Sequence, residues 1–290
     1  MLTRLSRREF VAAAAGTLAV ARPAWPQALT VGALVDRIRE NIGVPWNEKS
    51  PDGVKAGDPA TVVTGVAVTV MATLDVLRRA AAAGRNFVVT QEPTYYTPDD
   101  NPGPRAADPV YLEKKAFIEK ERLVIYRLSD HWHRSRPHAA PRALANALGW
   151  GKERWTDDEE LYSVAPTTLS ALAGEVRTRL NAGGGVRLVG LADLPVRTVY
   201  IAPGGTTVPR VLEHIARADV VIAGEPREWE AVPYIADAVS AGQSKGMIAL
   251  GRVVSEGPCA DVQSVWIKSL VGALPVDTIR LGDPYWSPTA

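Results

Sequence analysis

Apolar residues recur along the chain in two patterns, helical spacing and short unbroken β-branched runs, and their alternation predicts an α/β protein. Val31, Leu34, Val35 and Ile38 share one face of a helix predicted over 31–42, with Thr30 as its N-cap. A loop over 44–59, rich in Pro, Gly and Asp, carries Trp46. Then come a strand over 65–70, a helix over 73–83 that stops at Gly84, and a strand over 86–91. Together these make a βαβ unit with a right-handed crossover. Further helices are predicted over 109–122, 141–148, 168–181, 207–217, 229–241 and 260–272, and strands over 123–128, 161–165, 186–190, 197–202, 219–223, 247–250 and 276–281.

The strand at 86–91 runs directly into Glu92-Pro93. Pro93 cannot donate to a ladder and holds Glu92 extended, so the carboxylate falls at the carboxyl end of the strand. That is where open α/β sheets bind ligands; a surface acid at a turn is the alternative. A second copy favours the first reading. Residues 66–93 align without a gap on 199–226, pairing Thr73 with Thr206, Val88 with Val221 and Glu92-Pro93 with Glu225-Pro226. A fixed-offset match of this kind is the mark of an internal duplication. It predicts two similar α/β lobes, over 29–150 and 197–290, joined by a connecting block over 151–196, with mixed sheets flanked by helices. Their strand-end loops face a shared cleft.

Composition narrows the function. With 290 residues, 46% hydrophobic and 22% charged, the chain is long enough for two packed lobes. A net charge of +1, with no basic block interleaved with aromatics, gives no footprint for nucleic acid. Cys259 is the only cysteine, which rules out an intrachain disulfide and any cysteine-based metal cluster.

Ser6-Arg7-Arg8-Glu9-Phe10 precedes a short alanine-rich run at 11–21, with small residues suited to cleavage at Ala21, Ala24 or Ala28. That run is too short to span a bilayer, so 1–28 reads as a twin-arginine-type export signal. The expected location is periplasmic or secreted, with no membrane attachment after removal.

The chemistry-bearing residues cluster at strand ends. Ser129-Asp130-His131-Trp132-His133 closes the strand at 123–128 and holds half of the four histidines. An extended backbone would point His131 and His133 to one side, where alternate imidazoles can converge on one ion. Hydrogen bonds to structural carboxylates, or stacking on Trp132, are equally open. His138 is placed in a loop and His214 on a helix surface. The Pro203-Gly204-Gly205-Thr206 segment reads as a structural turn, since it matches neither phosphate-loop pattern. Gly251-Arg252-Val253-Val254-Ser255-Glu256 closes the strand at 247–250.

Val54-Lys55-Ala56-Gly57-Asp58-Pro59, Val89-Thr90-Gln91-Glu92-Pro93, the segment 126–133, Ala223-Gly224-Glu225 and the segment 251–256 occur here in an order and spacing that resemble the Nif-three-like proteins, the NGG-interacting-factor-three group. That group is also described as type-two homologues of GTP cyclohydrolase I. The resemblance spans about Thr30 to Leu274. It implies two similar α/β lobes, a di-metal centre in the cleft and a homo-oligomer, commonly a toroidal hexamer. Carried over by position, the family's His-His pair before proline falls on Gln91 and Glu92. Its His-Thr-Asn-Leu-Asp segment falls on 129–133, and its Gly-His-x-x-x-Glu on 251–256. Glu256 is unchanged, while His133 and Glu92 exchange ligand types.

The resulting expectation is one divalent transition metal (Fe, Mn or Zn) held by Glu92, His133 and Glu256 with His131 nearby. Glu92 and Asp130 would handle protons, and Gln91, Arg252, Glu225 and Tyr95 would contact a small-molecule substrate. Arg252 brings a fixed positive charge suited to an anionic group, or to a salt bridge with Glu256. The function expected is a metal-dependent hydrolase; the alternative is a catalytically degenerate binding protein of the same fold.

Overall fold

The computed structural model describes residues 28–285. The export segment predicted for 1–28 therefore lies outside the described residues except for Ala28. The first lobe contains α1 (Val31–Asn41), β1 (Gly53–Ala56), β2 (Val66–Thr69), α2 (Leu74–Ala82), β3 (Phe87–Thr90), α3 (Pro109–Lys120), β4 (Val124–Arg127), α4 (Asp130–Arg134) and α5 (Ala139–Ala147). The second contains β5 (Leu161–Thr168), α6 (Leu169–Arg179), β6 (Arg187–Val189), β7 (Pro195–Thr206), α7 (Val208–His214), β8 (Val220–Pro226), α8 (Ala231–Ser240) and β9 (Gly246–Ala249). α9 (Arg252–Val271) and β10 (Val276–Thr278) close the chain.

Two five-stranded sheets result, ordered β1-β4-β3-β2-β10 and β5-β7-β8-β9-β6. Each has a core of three parallel strands, β2-β3-β4 or β7-β8-β9, with an antiparallel strand, β1 or β6, beyond the third. Val66 lies opposite Phe87 and Val199 opposite Val220, pairs that the ungapped alignment superimposes. Mixed sheets flanked by helices are thus what the β-branched runs and helical stripes predict. The edges differ from expectation. β5 and β6, expected in a connecting block, are hydrogen-bonded members of the second sheet, and β10, expected in the second lobe, pairs in parallel with β2 of the first.

The long helix α9 sits where the lobes meet. It packs on α1, α5 and β2 on one side and on β7 and β8 on the other. Cys259, Ala260 and Ile267 from α9 join Val31, Leu34 and Ile38 from α1 in one core over the first sheet. The Trp132 indole N–H points at the Cys259 sulfur, 3.1 Å away. Burial raises the Cys259 thiol to about 12, so it is protonated and behaves as a small core residue.

Three local predictions are corrected. α9 begins at Arg252 rather than at 260, because helix runs through Pro258 despite the backbone bond that proline forgoes; apolar burial of Cys259, Ala260 and Ile267 along α9 offsets the loss. Residues 203–206 are not a tight turn but the end of β7, which crosses a register irregularity between Ala202 and Gly205. The third correction, at α4, decides the fate of two histidines.

Candidate functional site

The segment expected to extend β4 coils instead into the short helix α4. Its N-cap residue Ser129 makes no side-chain cap, and the task falls to Asp52, far away in sequence. Asp52 Oδ1 accepts from the Ser129 and Asp130 N–H groups at 2.8 and 3.2 Å, and Oδ2 accepts from the His131 N–H at 2.9 Å. A carboxylate at a helix N-terminus satisfies donors that have no intrahelical partner. Winding the chain also parts the two imidazoles, since alternate residues on a helix do not share a face.

His131 turns inward and is wholly buried, with Nδ1 2.7 Å from Asp52 Oδ2 and Nε2 accepting from the Asn47 N–H at 2.9 Å. Its ring stacks on Trp46 with centroids 3.7 Å apart. Both ring nitrogens are engaged, so His131 takes the structural role that stood as the alternative to metal ligation. Asp130 accepts from the Ser50 hydroxyl at 3.0 Å, and Tyr95 packs edge-on to Tyr111 in the core behind α3. Neither side chain joins the cleft cluster that sequence reasoning assigned it to.

His133 does reach the cleft, where its Nε2 lies 3.7 Å from Glu256 Oε1. Glu256 projects from the first turns of α9 one helical step beyond Arg252, which is why the two share a face. The Arg252 guanidinium is the centre of the cluster. Nη1 donates to Glu92 at the end of β3, Nε donates to Glu225 Oε2 at 2.7 Å, and Nη1 lies 3.7 Å from Glu256 Oε2. The two Glu-Pro strand ends that the sequence puts in register therefore meet on one cation. Gly204 lies against this cluster with φ +69, and a Cβ there would approach Glu256 Oε1 to 2.6 Å. Gln91 is buried with its amide beside the Cys259 thiol.

Electrostatics follow from burial in this crowded place. Burial, reinforced by the neighbouring Glu92 charge, raises the Glu256 carboxyl to about 8 even though Arg252 opposes the shift. Burial and the Arg210 charge lower the His133 imidazole to about 4. Burial alone would lower the Arg252 guanidinium, but Glu92, Glu256 and Glu225 outweigh it and hold the charge more firmly than usual. Near neutrality the pair is an uncharged acid facing an uncharged base.

The sign of each shift fixes the pH dependence. Glu256 binds its proton more tightly when folded, so its contribution is lost as pH rises from the ordinary 4.5 toward 8. His133 binds its proton less tightly when folded, so its contribution is complete above 6.5 and lost as pH falls toward 4. The two slopes oppose each other over the range where both act. Above it Glu256 is the one of the two still titrating, and its share of the stability is expected to fall by about 2 kcal/mol from pH 6.5 to 8. Urea denaturation across that range is the check, with Glu256→Gln flattening the fall; a wild-type profile that stays level would refute the buried acid.

Beside His133 opens a cavity of about 260 Å³ whose far wall holds residues that sequence reasoning placed elsewhere or passed over. His138, at the N-cap of α5, has Nδ1 2.9 Å from Glu160 Oε1. Glu160 Oε2 lies 3.5 Å from His214 Nε2, and His214 Nδ1 lies 3.0 Å from Asp158 Oδ2. His214 is thus no surface residue; its side chain is 15% exposed and its ring lies on Tyr200. Burial would raise the Glu160 carboxyl, but the His138 hydrogen bond and the Arg210 charge win and lower it. Arg210 itself is held loosely, 3.6 Å from Glu160 and 3.5 Å from the Pro203 and Gly205 carbonyls. The run Asp157-Asp158-Glu159-Glu160 just ahead of β5 was the available signal.

The donor set can be tested against a divalent metal. Glu92, His133 and Glu256 converge, yet the space among the carboxylates belongs to a guanidinium, and His133 is the one imidazole in the cluster. Among the described residues, no group of three or more His, Cys, Asp and Glu side chains is placed to hold a metal ion. With Arg252 in this position the residues present do not fit a transition metal.

Fold and cleft together define a class: a two-lobed α/β protein with two mixed sheets and a charged cluster at the strand ends between them. A sequence profile of the Duf34/NIF3 (NGG1p interacting factor 3) family matches residues 30–243, and the chain belongs to that family. Among solved structures it is similar to a Bacillus cereus protein related to NIF3, with a TM-score of 0.71, 14% identity, and coverage of 90% of this chain and 99% of that one. It is also similar to a Staphylococcus aureus hypothetical protein, with a TM-score of 0.70, 16% identity, and coverage of 89% and 99%. Reduced HcgD from Methanocaldococcus jannaschii aligns with a TM-score of 0.58 and 11% identity over 83% and 94% of the two chains. These likenesses show the fold. No curated protein matches the chain in sequence.

Proposed function

We propose that this NIF3-family protein is a binding protein whose cleft carries its own cation, Arg252, where the family resemblance implies a metal, and that it takes a small acidic molecule in the adjoining cavity. One observation carries the reading: Arg252 donates to Glu92 and Glu225 from the two lobes and lies against Glu256. The neighbouring Arg210, 3.6 Å from Glu160 and 3.5 Å from the Pro203 carbonyl, lines the cavity with a planar fork of the kind that suits a carboxylate. Uncharged His133, at the cavity wall, adds a hydrogen-bonding imidazole.

A metal-dependent hydrolase is the second reading, favoured by the approach of Glu92 and Glu256 to one point, the Arg252 guanidinium, with His133 3.7 Å from Glu256. It requires Arg252 to leave that point. Metal analysis after loading with Fe, Mn or Zn separates the two. The wild-type chain is expected to hold no stoichiometric metal. Arg252→His, which removes the guanidinium and restores the family's Gly-His-x-x-x-Glu at 251–256, is expected to gain about one ion per chain. Stoichiometric metal in the wild type would overturn the binding-protein reading.

A further inference from the structure

A second cavity, of about 800 Å³, lies outside the cleft, between β1, α3 and the loop that follows Glu92. Its wall contains a charged pair with unusual spacing. Asp100 is 8% exposed and its Oδ1 caps the Thr94 and Tyr95 N–H groups. Its other oxygen, Oδ2, has no hydrogen-bond partner among the described residues. Lys55 Nζ lies 4.0 Å from that oxygen, and its side chain is 14% exposed. A buried carboxylate oxygen short of a hydrogen bond is costly to leave so.

The spacing states what would satisfy it. At 4.0 Å the pair is too far apart for a direct hydrogen bond, yet one oxygen atom at about 2.8 Å from each fits between them. That atom must accept from Lys55 and donate to Asp100. A hydroxyl does both, of water or of a ligand, and the cavity of about 800 Å³ gives a ligand room to bring one. A carboxylate or an ionised phosphate oxygen has no proton to donate to Asp100, and an amine would leave Lys55 unsatisfied. Around the pair stand the rings of Tyr95 and Tyr111 and the apolar side chains of Ile118 and Leu123, with charged side chains of both signs at the rim. Apolar ring walls beside paired donors and acceptors suit a molecule with C–H faces and hydroxyl edges. The Arg127 guanidinium lies 3.8 Å from the same Asp100 oxygen.

We infer that this cavity is a binding site for a hydroxyl-rich small molecule of the sugar or polyol class, with one hydroxyl bridging Lys55 and Asp100. The site is separate from the cleft and does not depend on what Arg252 does there. Isothermal titration and saturation-transfer NMR of the full chain with glucose, maltose, myo-inositol, glucuronate and, as a control without hydroxyls, hexanoate test it. At least one hydroxylated probe is expected to bind saturably. Lys55→Met, which removes an ammonium that makes no hydrogen bond in the fold, is expected to weaken that probe at least tenfold. Asp100→Asn keeps the oxygen that caps Thr94 and Tyr95 but turns the other position into a donor, and is expected to do the same. Absence of saturable binding by every hydroxylated probe, unchanged affinity in Lys55→Met, or binding of hexanoate alone would overturn the inference.

Discussion

Replacing Asp52 with alanine is expected to cost about 4 kcal/mol of folding stability and to take His133 out of the cleft. The reasoning is a count of what one carboxylate satisfies. Asp52 is buried and receives three backbone N–H groups at the start of α4 and the His131 ring. Alanine would strand all four in the interior, each at a cost on the order of 1 kcal/mol or more. α4 is only five residues long, with no cap of its own, so it has little reason to stay wound. Asp52→Asn is expected to do less harm, because one acceptor oxygen remains. Urea denaturation gives the stability, and the His133 imidazole signal by NMR gives its position. A loss below about 1 kcal/mol in the alanine variant would show that α4 is held by something else.

Arg252→Met is expected to lower stability by about 3 kcal/mol, and by more at pH 8.5 than at pH 6. Methionine keeps the aliphatic stem and removes the fork that joins Glu92 to Glu225. Glu92 and Glu225 are exposed enough to turn toward water, with side chains 18% and 61% accessible, but Glu256 at 3% is not. At pH 6 Glu256 is protonated and tolerates the loss. Without Arg252 its carboxyl is pushed above about 8 and stays protonated where the wild type ionises, so the penalty grows as pH rises through that value. Adding Glu256→Gln to Arg252→Met should remove the extra loss at high pH. An equal penalty at both pH values would mean that Glu256 does not feel Arg252.

Much of this architecture was legible because its signals are local. Val31, Leu34 and Ile38 are fully buried on α1 as their spacing predicts, Thr30 caps the helix through the Ala33 N–H, and the β-branched runs form the parallel cores. The illegible parts depend on partners distant in sequence. No pattern near His131 shows that Asp52 will curl the chain there, so spacing alone puts the two histidines on one face. Pro258 looks like a stop and is not one, because buried side chains on both sides of it outweigh the missing bond. At the site, the repeated Glu-Pro located Glu92 and Glu225, and the motif at 251–256 located Arg252 and Glu256. His138, Glu160 and His214 escaped, since what joins them is a chain of side-chain contacts between α5, β5 and α7 that no spacing along the sequence encodes.

The return of β10 to the first sheet has a consequence for how the molecule can be divided. The polypeptide leaves the first half, builds the second, and comes back through α9 to hydrogen-bond with β2. A fragment ended after α5 would leave the β2 edge bare and uncover Val31, Leu34 and Ile38, the two conditions under which edges seek other chains. The halves resemble each other in outline, yet neither is a self-sufficient unit, and any dissection must carry α9 and β10 along with the first half.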